Sequence, residues 1–570
     1  MSSMCTYMRG NIVVTAAVLF LVILTGFIKP CSASENTTTS LSREEQIRLG
    51  ERIYRDGILP SGQPIEALVR GDITVHGTSF TCVSCHLRSG LGSYEGGVII
   101  PPANGTKLFE PYQILYKGIN QDPKSFPVPP RRPAYTNAAL ANVIQNGIDP
   151  TGRVLNDVMP RYLMDKNDVQ LLITYLKSLS ADISPGVTDT SIRFATVITD
   201  DVSPQDRKAM LDSLQHYIDI KNGQVKFFKT PRGSRSRLMA ENMMTSRELA
   251  LRTLSLVPWV LKGAPDTWRS QLEEYNRKEP VFALIGGITT GEWKPIHQFS
   301  EDNHIPCLFP ATDFPVISQT DWYTLYLSKG YYQEGEGAAR YLNRMNENLK
   351  GKDIVQLVRE TPNGQALASG FQDTWRELGR EKPLTITLKP GDDVNKIVQQ
   401  QVLTKGKPAA LIIWDGADVL PALETMAKSD NRPDLVIVSS SYLGKSLWAM
   451  KDSVRDFTYL TYPYRLSQAP QDKPSPAMGK KVFPAETSII ANQTYSIIEI
   501  LSMALMDMRG NYYRDNFLDV IGMIMDKEMP LYERLSFGPG QRYASKGCYI
   551  VQLTKGDKPE LVKKSDWVIH

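Results

Sequence analysis

Charge of one sign, reactive cysteine and catalytic motifs are all in short supply in this chain. Lys and Arg number 65 against 61 Asp and Glu in 570 residues, a formal net charge of +4. No basic cluster is interleaved with aromatic residues, so nucleic acid is not an expected partner. No G-x-S-x-G elbow, zincin motif or other nucleophile constellation appears, and hydrolytic enzymes lose their usual footing. Gly444-Lys445-Ser446 ends like a phosphate-binding loop, but Ser439 stands where that loop requires its first glycine. Cysteine and histidine are limited to six each, so thiol or metal chemistry has to rest on very few side chains.

The N-terminus reads as a targeting segment. Arg9 supplies a basic start, Ile12 to Ile28 is almost wholly apolar, and Cys31-Ser32-Ala33-Ser34 offers small residues for cleavage after Ala33. Residues 1–33 are therefore expected to be a signal peptide of a periplasmic or otherwise exported protein. The apolar run is slightly short of the about 20 residues of a membrane span, and a retained N-terminal anchor is the alternative. Ile28-Lys29-Pro30 before Cys31 lacks the small residues of lipoprotein processing. Cys5 and Cys31 leave with the signal, so Cys82, Cys85, Cys307 and Cys548 remain. An oxidising compartment permits a Cys307–Cys548 disulfide; two separately buried thiols, each in an apolar strand-like run, are the other reading.

The strongest motif is Cys82-Val83-Ser84-Cys85-His86. C-x-x-C-H is the spacing that attaches a c-type haem, with both cysteines bonded to the porphyrin and the histidine facing the iron. Export agrees with this, because bacterial c-type haem is loaded outside the cytoplasm. A zinc site needs two further ligands and no second Cys/His pair exists; a thioredoxin-like pair needs a surrounding βαβ pattern, which is missing. One covalently bound haem c is the expected cofactor.

Residues 41–182 read as one helical unit around that motif. Ser42 with Glu45 three positions on forms a capping-box pattern, and the helix continues through Ile47, Gly50 and Tyr54, with Gly50 open to close approach by another helix. Val169, Leu172, Tyr175 and Leu176 stand at helical spacing in a last helix from Asp168 to Leu179. The pair resembles the crossing N- and C-terminal helices of class I cytochromes c, which implies an all-α domain. Met159-Pro160, between Gly152-Arg153-Val154-Leu155 and Tyr175-Leu176-Lys177-Ser178-Leu179, stands where that family has its distal Met-Pro. The resemblance implies Met159 as the second axial ligand, with Met164 and then His76 as alternatives and core filler as the plain reading. A His/Met pair raises the potential and closes both axial positions. Arg131, Arg132 and Arg161 are candidate partners for haem propionates, or solvated residues. The segment from Asp56 to Thr81 is longer than in that family and either wraps the haem edge or forms a docking surface.

A polar linker over 183–191 leads to a second unit, residues 192–570. Apolar runs at Ile192–Ile198, Val281–Ile285, His304–Phe309, Asp353–Val358, Leu384–Leu388, Ala410–Trp414 and Leu435–Ser439 alternate with helical stretches such as Gln205–Ile218. The alternation implies parallel sheets covered by helices. The runs resemble type I periplasmic solute-binding proteins of the leucine/isoleucine/valine-binding kind, best over Val281–Leu342 with Gly286-Gly287-Ile288-Thr289-Thr290 and Ala311-Thr312. The resemblance implies an α/β bilobal domain with a ligand cleft at the carboxyl ends of the strands. It places Thr289, Thr290, Ala311 and Thr312 where that family holds a ligand carboxylate, although ordinary helix capping explains the same residues. Tyr331 and Ser441 stand where amino-acid binders carry acidic side chains, so an α-amino acid ligand is not expected. Tyr331, Tyr332 and Trp414 would suit an aromatic or less polar ligand, or simply pack.

The resulting expectation is a multidomain chain joining an all-α cytochrome c domain to an α/β bilobal binding domain. It carries out one-electron transfer with a redox partner, another cytochrome or a periplasmic redox enzyme, coupled to binding of a small molecule or partner. The alternative is the substrate-binding component of an uptake or sensing system, served by a membrane permease, with the haem as an accessory redox sensor. Neither reading makes it an enzyme; a periplasmic oxidoreductase is the remaining reading.

Overall fold

A computed structural model describes residues 41–69, 73–95, 98–113, 131–229, 252–345, 354–466, 488–538 and 540–569. The expected signal at 1–33 lies outside them.

In the N-terminal unit, helix α1 (Arg43–Asp56) starts at Ser42, whose hydroxyl accepts the Glu45 N–H at 3.1 Å. The Glu45 carboxylate turns to Arg48 instead of back to the cap, so one half of the capping box forms. The C-x-x-C-H motif is itself one short helix, α2 (Cys82–His86), and α3 (Asn137–Asn146) and α4 (Lys166–Ser178) come later in the unit. Helices α1 and α4 cross at Gly50, where an added Cβ would stand 2.2 Å from the Leu171 carbonyl oxygen and 2.7 Å from the Tyr175 Cβ. Ile53, Tyr54, Leu140, Leu172 and Leu176 fill the core beneath this crossing.

The unit is not all-α. Glu66–Val69 (β1), Ile73–His76 (β2) and Arg161–Leu163 (β3) form an antiparallel sheet in the order β2-β1-β3, and a small ribbon joins Tyr94–Glu95 to Val98–Ile99. The cause is the long segment after α1. Its residues form a hairpin whose inner edge pairs with the chain just beyond Met159-Pro160, and Tyr162 is buried there with its hydroxyl donating to the Phe80 carbonyl at 2.5 Å. The extra segment therefore backs the methionine loop.

The second unit has two lobes. Ser191–Thr199 (β4), Thr253–Leu261 (β5), Ala283–Ile285 (β6), Cys307–Leu308 (β7) and Thr324–Leu325 (β8) form a parallel sheet in the order β8-β7-β6-β4-β5. Helix α5 (Pro204–Lys229) packs on it. In the other lobe, Ile354–Arg359 (β9), Leu384–Leu388 (β10), Ala410–Trp414 (β11), Leu435–Ser439 (β12) and Thr458–Tyr462 (β13) run parallel in the order β10-β9-β11-β12-β13. Gly547–Leu553 (β14) and Leu561–Lys563 (β15) then extend the edge antiparallel. Burial alternates along the central strands: Leu411 and Ile413 join one apolar cluster, Ala410, Ile412 and Trp414 the other. Both faces are covered, as parallel sheets require. Tyr331–Arg344 (α6) and Pro362–Glu377 (α7) cover the Trp414 face. The chain then returns to the first lobe through Ile489–Asp507 (α8) and Arg514–Gly522 (α9). Helix α8 is long and apolar enough to cross a membrane by composition, yet half of it is buried against α5 and the first-lobe core.

No Cys307–Cys548 disulfide exists. Cys307 lies in β7 and Cys548 in β14, one in each lobe, both fully buried and free. Burial pushes the Cys307 thiol up to about 12.

Candidate functional site

Two adjoining cavities open beside the Cys82–His86 helix, about 100 and 320 Å³ in volume. Both are lined by Cys82, His86, Pro101, Arg153, Leu155, Met159 and Tyr162, and the larger also by Cys85. The remaining walls are mostly apolar, with Leu108, Leu140, Val143, Ile144 and Leu172 among them. His86 Nδ1 lies 2.8 Å from the Pro101 carbonyl. Its N–H donates there, which leaves Nε2 as the free ring nitrogen. Burial lowers the His86 pKa, with the Pro101 bond opposing, so the ring is neutral at pH 7, the form that binds metals. Burial pushes the Cys82 thiol up to about 12.

Met159 sits in a loop pinned by Arg161, whose guanidinium donates to the Met159 carbonyl and, at 2.8 Å, to that of Leu155. Arg132 gives its donors to the carbonyls of Lys107, Leu108, Glu110 and Pro133 and stacks 4.5 Å from the Tyr135 ring. Both arginines thus act on the backbone, and Arg131 is exposed. Arg153, which sequence reasoning passed over, lines both cavities and pairs with the buried Asp149 at 3.0 Å. Of the alternative ligands, Met164 packs into the core and His76 is exposed at the end of β2; neither lines a cavity wall described above.

In the binding unit, the strand order reverses between β4 and β6 in the first lobe and between β9 and β11 in the second, the positions where open α/β sheets place ligands. At the second of these, Arg359 and Asp415 form a buried pair, Nη2 to Oδ2 2.7 Å and Nε to Oδ1 3.1 Å. The remaining Arg359 nitrogen donates to the Lys389 and Asp392 carbonyls. The pair floors an open pocket of about 580 Å³ that also includes Thr361, Asp392, Asp393, Asp418 and Tyr442.

The resemblance-derived residues meet mixed fates. The Thr289 hydroxyl donates to the Gly291 carbonyl at 2.8 Å, Thr290 donates to Asp201, and the Ala311 N–H is taken by the Gly287 carbonyl. Thr312 accepts the Phe314 N–H at 3.1 Å. Tyr331, at the start of α6, bridges the lobes, its ring 5.7 Å from Phe314 and 6.0 Å from Tyr442. Tyr332, the next residue on the helix, turns away and donates to Asp373. Trp414 is fully buried on the helix-covered face of β11, because period-two alternation puts it with Ala410 and Ile412. It does not reach the cleft.

Ser441 meets an acid after all. Glu334, one turn into α6, is buried and accepts from Ser439 at 2.8 Å, Thr461 at 2.5 Å and Ser441. Burial raises it to about 7, with those hydroxyls opposing. Gly335, Gly337, Ala338 and Ala339 follow it, and such small residues mark a tightly packed helix. An added Cβ at Gly335 would stand 2.1 Å from the Leu367 carbonyl oxygen.

A search of curated proteins found no match. Among solved structures, the chain is similar to a fatty acid ABC transporter substrate-binding protein from Thermomonospora curvata, with 18% identity, 67% of this chain and 94% of that chain covered, and a TM-score of 0.43. It is similar too to a solute-binding protein of an ABC transporter from R. palustris in complex with benzoate (14%, 66% and 96%, 0.43). A third is an ABC transporter substrate-binding protein from Sphaerobacter thermophilus (13%, 66% and 98%, 0.46). The family model described as periplasmic binding protein matches residues 261–558, just over half of the sequence. The two-lobed chain accordingly belongs to the periplasmic binding protein family.

Proposed function

We propose that the chain is an exported solute-binding protein whose N-terminal unit carries one covalently bound haem as an accessory redox group. The binding half rests on one observation, the family match over residues 261–558, joined to a pocket at the strand-order reversal of the second lobe. Binding, with a membrane permease as the partner, therefore takes precedence over electron transfer as the primary role.

The haem half is supported by the residues around the N-terminal cavities. Cys82 and Cys85 would hold the porphyrin covalently, and His86, neutral with Nε2 free, and Met159 would hold the iron. When bound, such a group would supply one-electron ferric/ferrous chemistry. The protein contributes an apolar wall, a fixed imidazole orientation through Pro101 and a methionine loop tied by Arg161. A redox protein is then a second partner.

The cleft chemistry favours a neutral or cationic ligand with an aromatic or apolar face. Arg359 has its donors spent on Asp415 and two carbonyls, the Thr289 and Thr290 hydroxyls are engaged, and Asp392, Asp393 and Asp418 line the second-lobe pocket. A carboxylate would meet acids there without a free cation to offset its desolvation. Tyr442, which lines that pocket, offers an aromatic ring instead. Thermal unfolding of the full chain with benzyl alcohol, benzylamine, benzoate or leucine tests this. The first two are expected to raise Tm; a rise with benzoate or leucine alone would reverse the charge argument.

A further inference from the structure

The loop after the Cys82–His86 helix is held both from within its own unit and from the binding unit. Leu87, next to His86, has a left-handed backbone, φ 65°, unusual for a branched residue. Tyr54 fixes its carbonyl at 2.7 Å from within the N-terminal unit. The next two N–H groups go elsewhere: Arg88 and Ser89 both donate to Asp519 of α9, at 3.3 and 2.8 Å. The Arg88 guanidinium then lies 4.1 Å from the ring centroid of Trp322, in the first lobe.

Trp322 carries a second guanidinium, that of Arg542, 4.4 Å from the same centroid, and Arg542 also donates to the Trp322 carbonyl. Arg542 is buried and belongs to a segment that crosses between the lobes. Its carbonyl accepts the Tyr326 N–H at 2.8 Å, the Leu327 carbonyl accepts from Ser545, and the two crossing segments pair side by side before entering α6 and β14 of the second lobe. A change in lobe angle must be absorbed by such crossing segments.

We propose that Trp322, with Arg88 and Arg542 on one ring, couples the angle between the lobes to the loop that follows His86. Trp322 is a positioning residue in this account. The redox consequence rests on the haem reading above; the mechanical coupling does not. Cleft closure shifts Arg542, Trp322 follows through the shared ring and carbonyl bond, and Arg88 passes the shift to the strained residue beside His86. A route of this kind requires measured coupling as its warrant.

The test uses the full chain and the variants Arg542→Gln, Trp322→Leu and the double, with Arg88→Gln replacing Trp322→Leu if that variant does not fold. Amide exchange at residues 87–92 and the haem midpoint potential are both read. Arg542→Gln is expected to speed exchange in the loop several-fold and to shift the ferrous/ferric ratio at fixed potential about threefold, roughly 30 mV for one electron. In the Trp322→Leu background the same substitution should add nothing to either reading. Unchanged exchange in Arg542→Gln, or additive effects in the double variant, would overturn the coupling. Faster exchange in a chain that retains no haem would keep the coupling and remove the redox reading instead.

Discussion

The two units of this molecule declare themselves in opposite ways. In the N-terminal unit, five consecutive residues name a chemistry, and the cavity beside them is apolar and opposed by Met159. In the binding unit the family is plain over residues 261–558, yet no short run of sequence names the ligand. The difference follows from how each site is built. Covalent attachment needs its groups adjacent in sequence, whereas a cleft is assembled from strand ends far apart in the chain. Arg359 and Asp415 are such a pair, brought together only because β9 and β11 are neighbours in the sheet.

The sharpest way to break the comparison is Met159→Ala in haem-loaded protein. The weak far-red ferric band of a Met-ligated iron should vanish altogether and the potential should fall, with ligand-induced stabilisation of the binding unit unaltered. Persistence of the band would move the ligand elsewhere. Next, Asp415→Ala leaves the buried Arg359 guanidinium with only the exposed Asp418, 4.0 Å away, as a charge partner and should cost the second lobe about 3 kcal/mol in denaturant unfolding. The haem spectrum should stay as it was; a loss below about 1 kcal/mol would mean that water reaches Arg359.

The same contrast governs how much could be read in advance. Ser42 and Gly50 were legible because capping and helix crossing are local rules, and both do what those rules require. The strands Ala410–Trp414 and Leu435–Ser439 were legible to the residue, being continuous apolar runs in a parallel sheet. Of the two readings open for Trp414, ligand contact or packing, packing holds, because the alternation of the strand points it at α6 and α7. The hairpin at β1 and β2 was illegible because its partner, β3, lies almost a hundred residues on. Glu334 was hidden by its own neighbours: the hydroxyls that receive it come from β12, the turn after it and β13.

Smaller effects sharpen the account. Burial raises Glu334 from 4.5 to about 7. The folded protein thus keeps a proton that the unfolded chain releases above 4.5, so stability present below that pH is lost as pH rises towards 7, on the order of 3 kcal/mol. Asp519, raised by burial to about 6, adds to the same slope. Glu334→Gln should flatten the fall in unfolding free energy between pH 5 and 7, and an unchanged slope would assign it to other groups. Gly50→Ala should weaken the N-terminal unit by about 1–3 kcal/mol through the forced separation of α1 and α4, read as loss of that unit's own unfolding transition ahead of the other. A single unchanged transition would show that the crossing yields.

The most direct measurement is the haem retained by the denatured full chain after exported expression with haem-attachment machinery. The account requires one haem per chain, stable to acid-acetone extraction and lost when Cys82 and Cys85 are both replaced by alanine, with ligand-free unfolding of the binding unit unchanged. A folded binding unit with no covalent haem in the parent chain would contradict it.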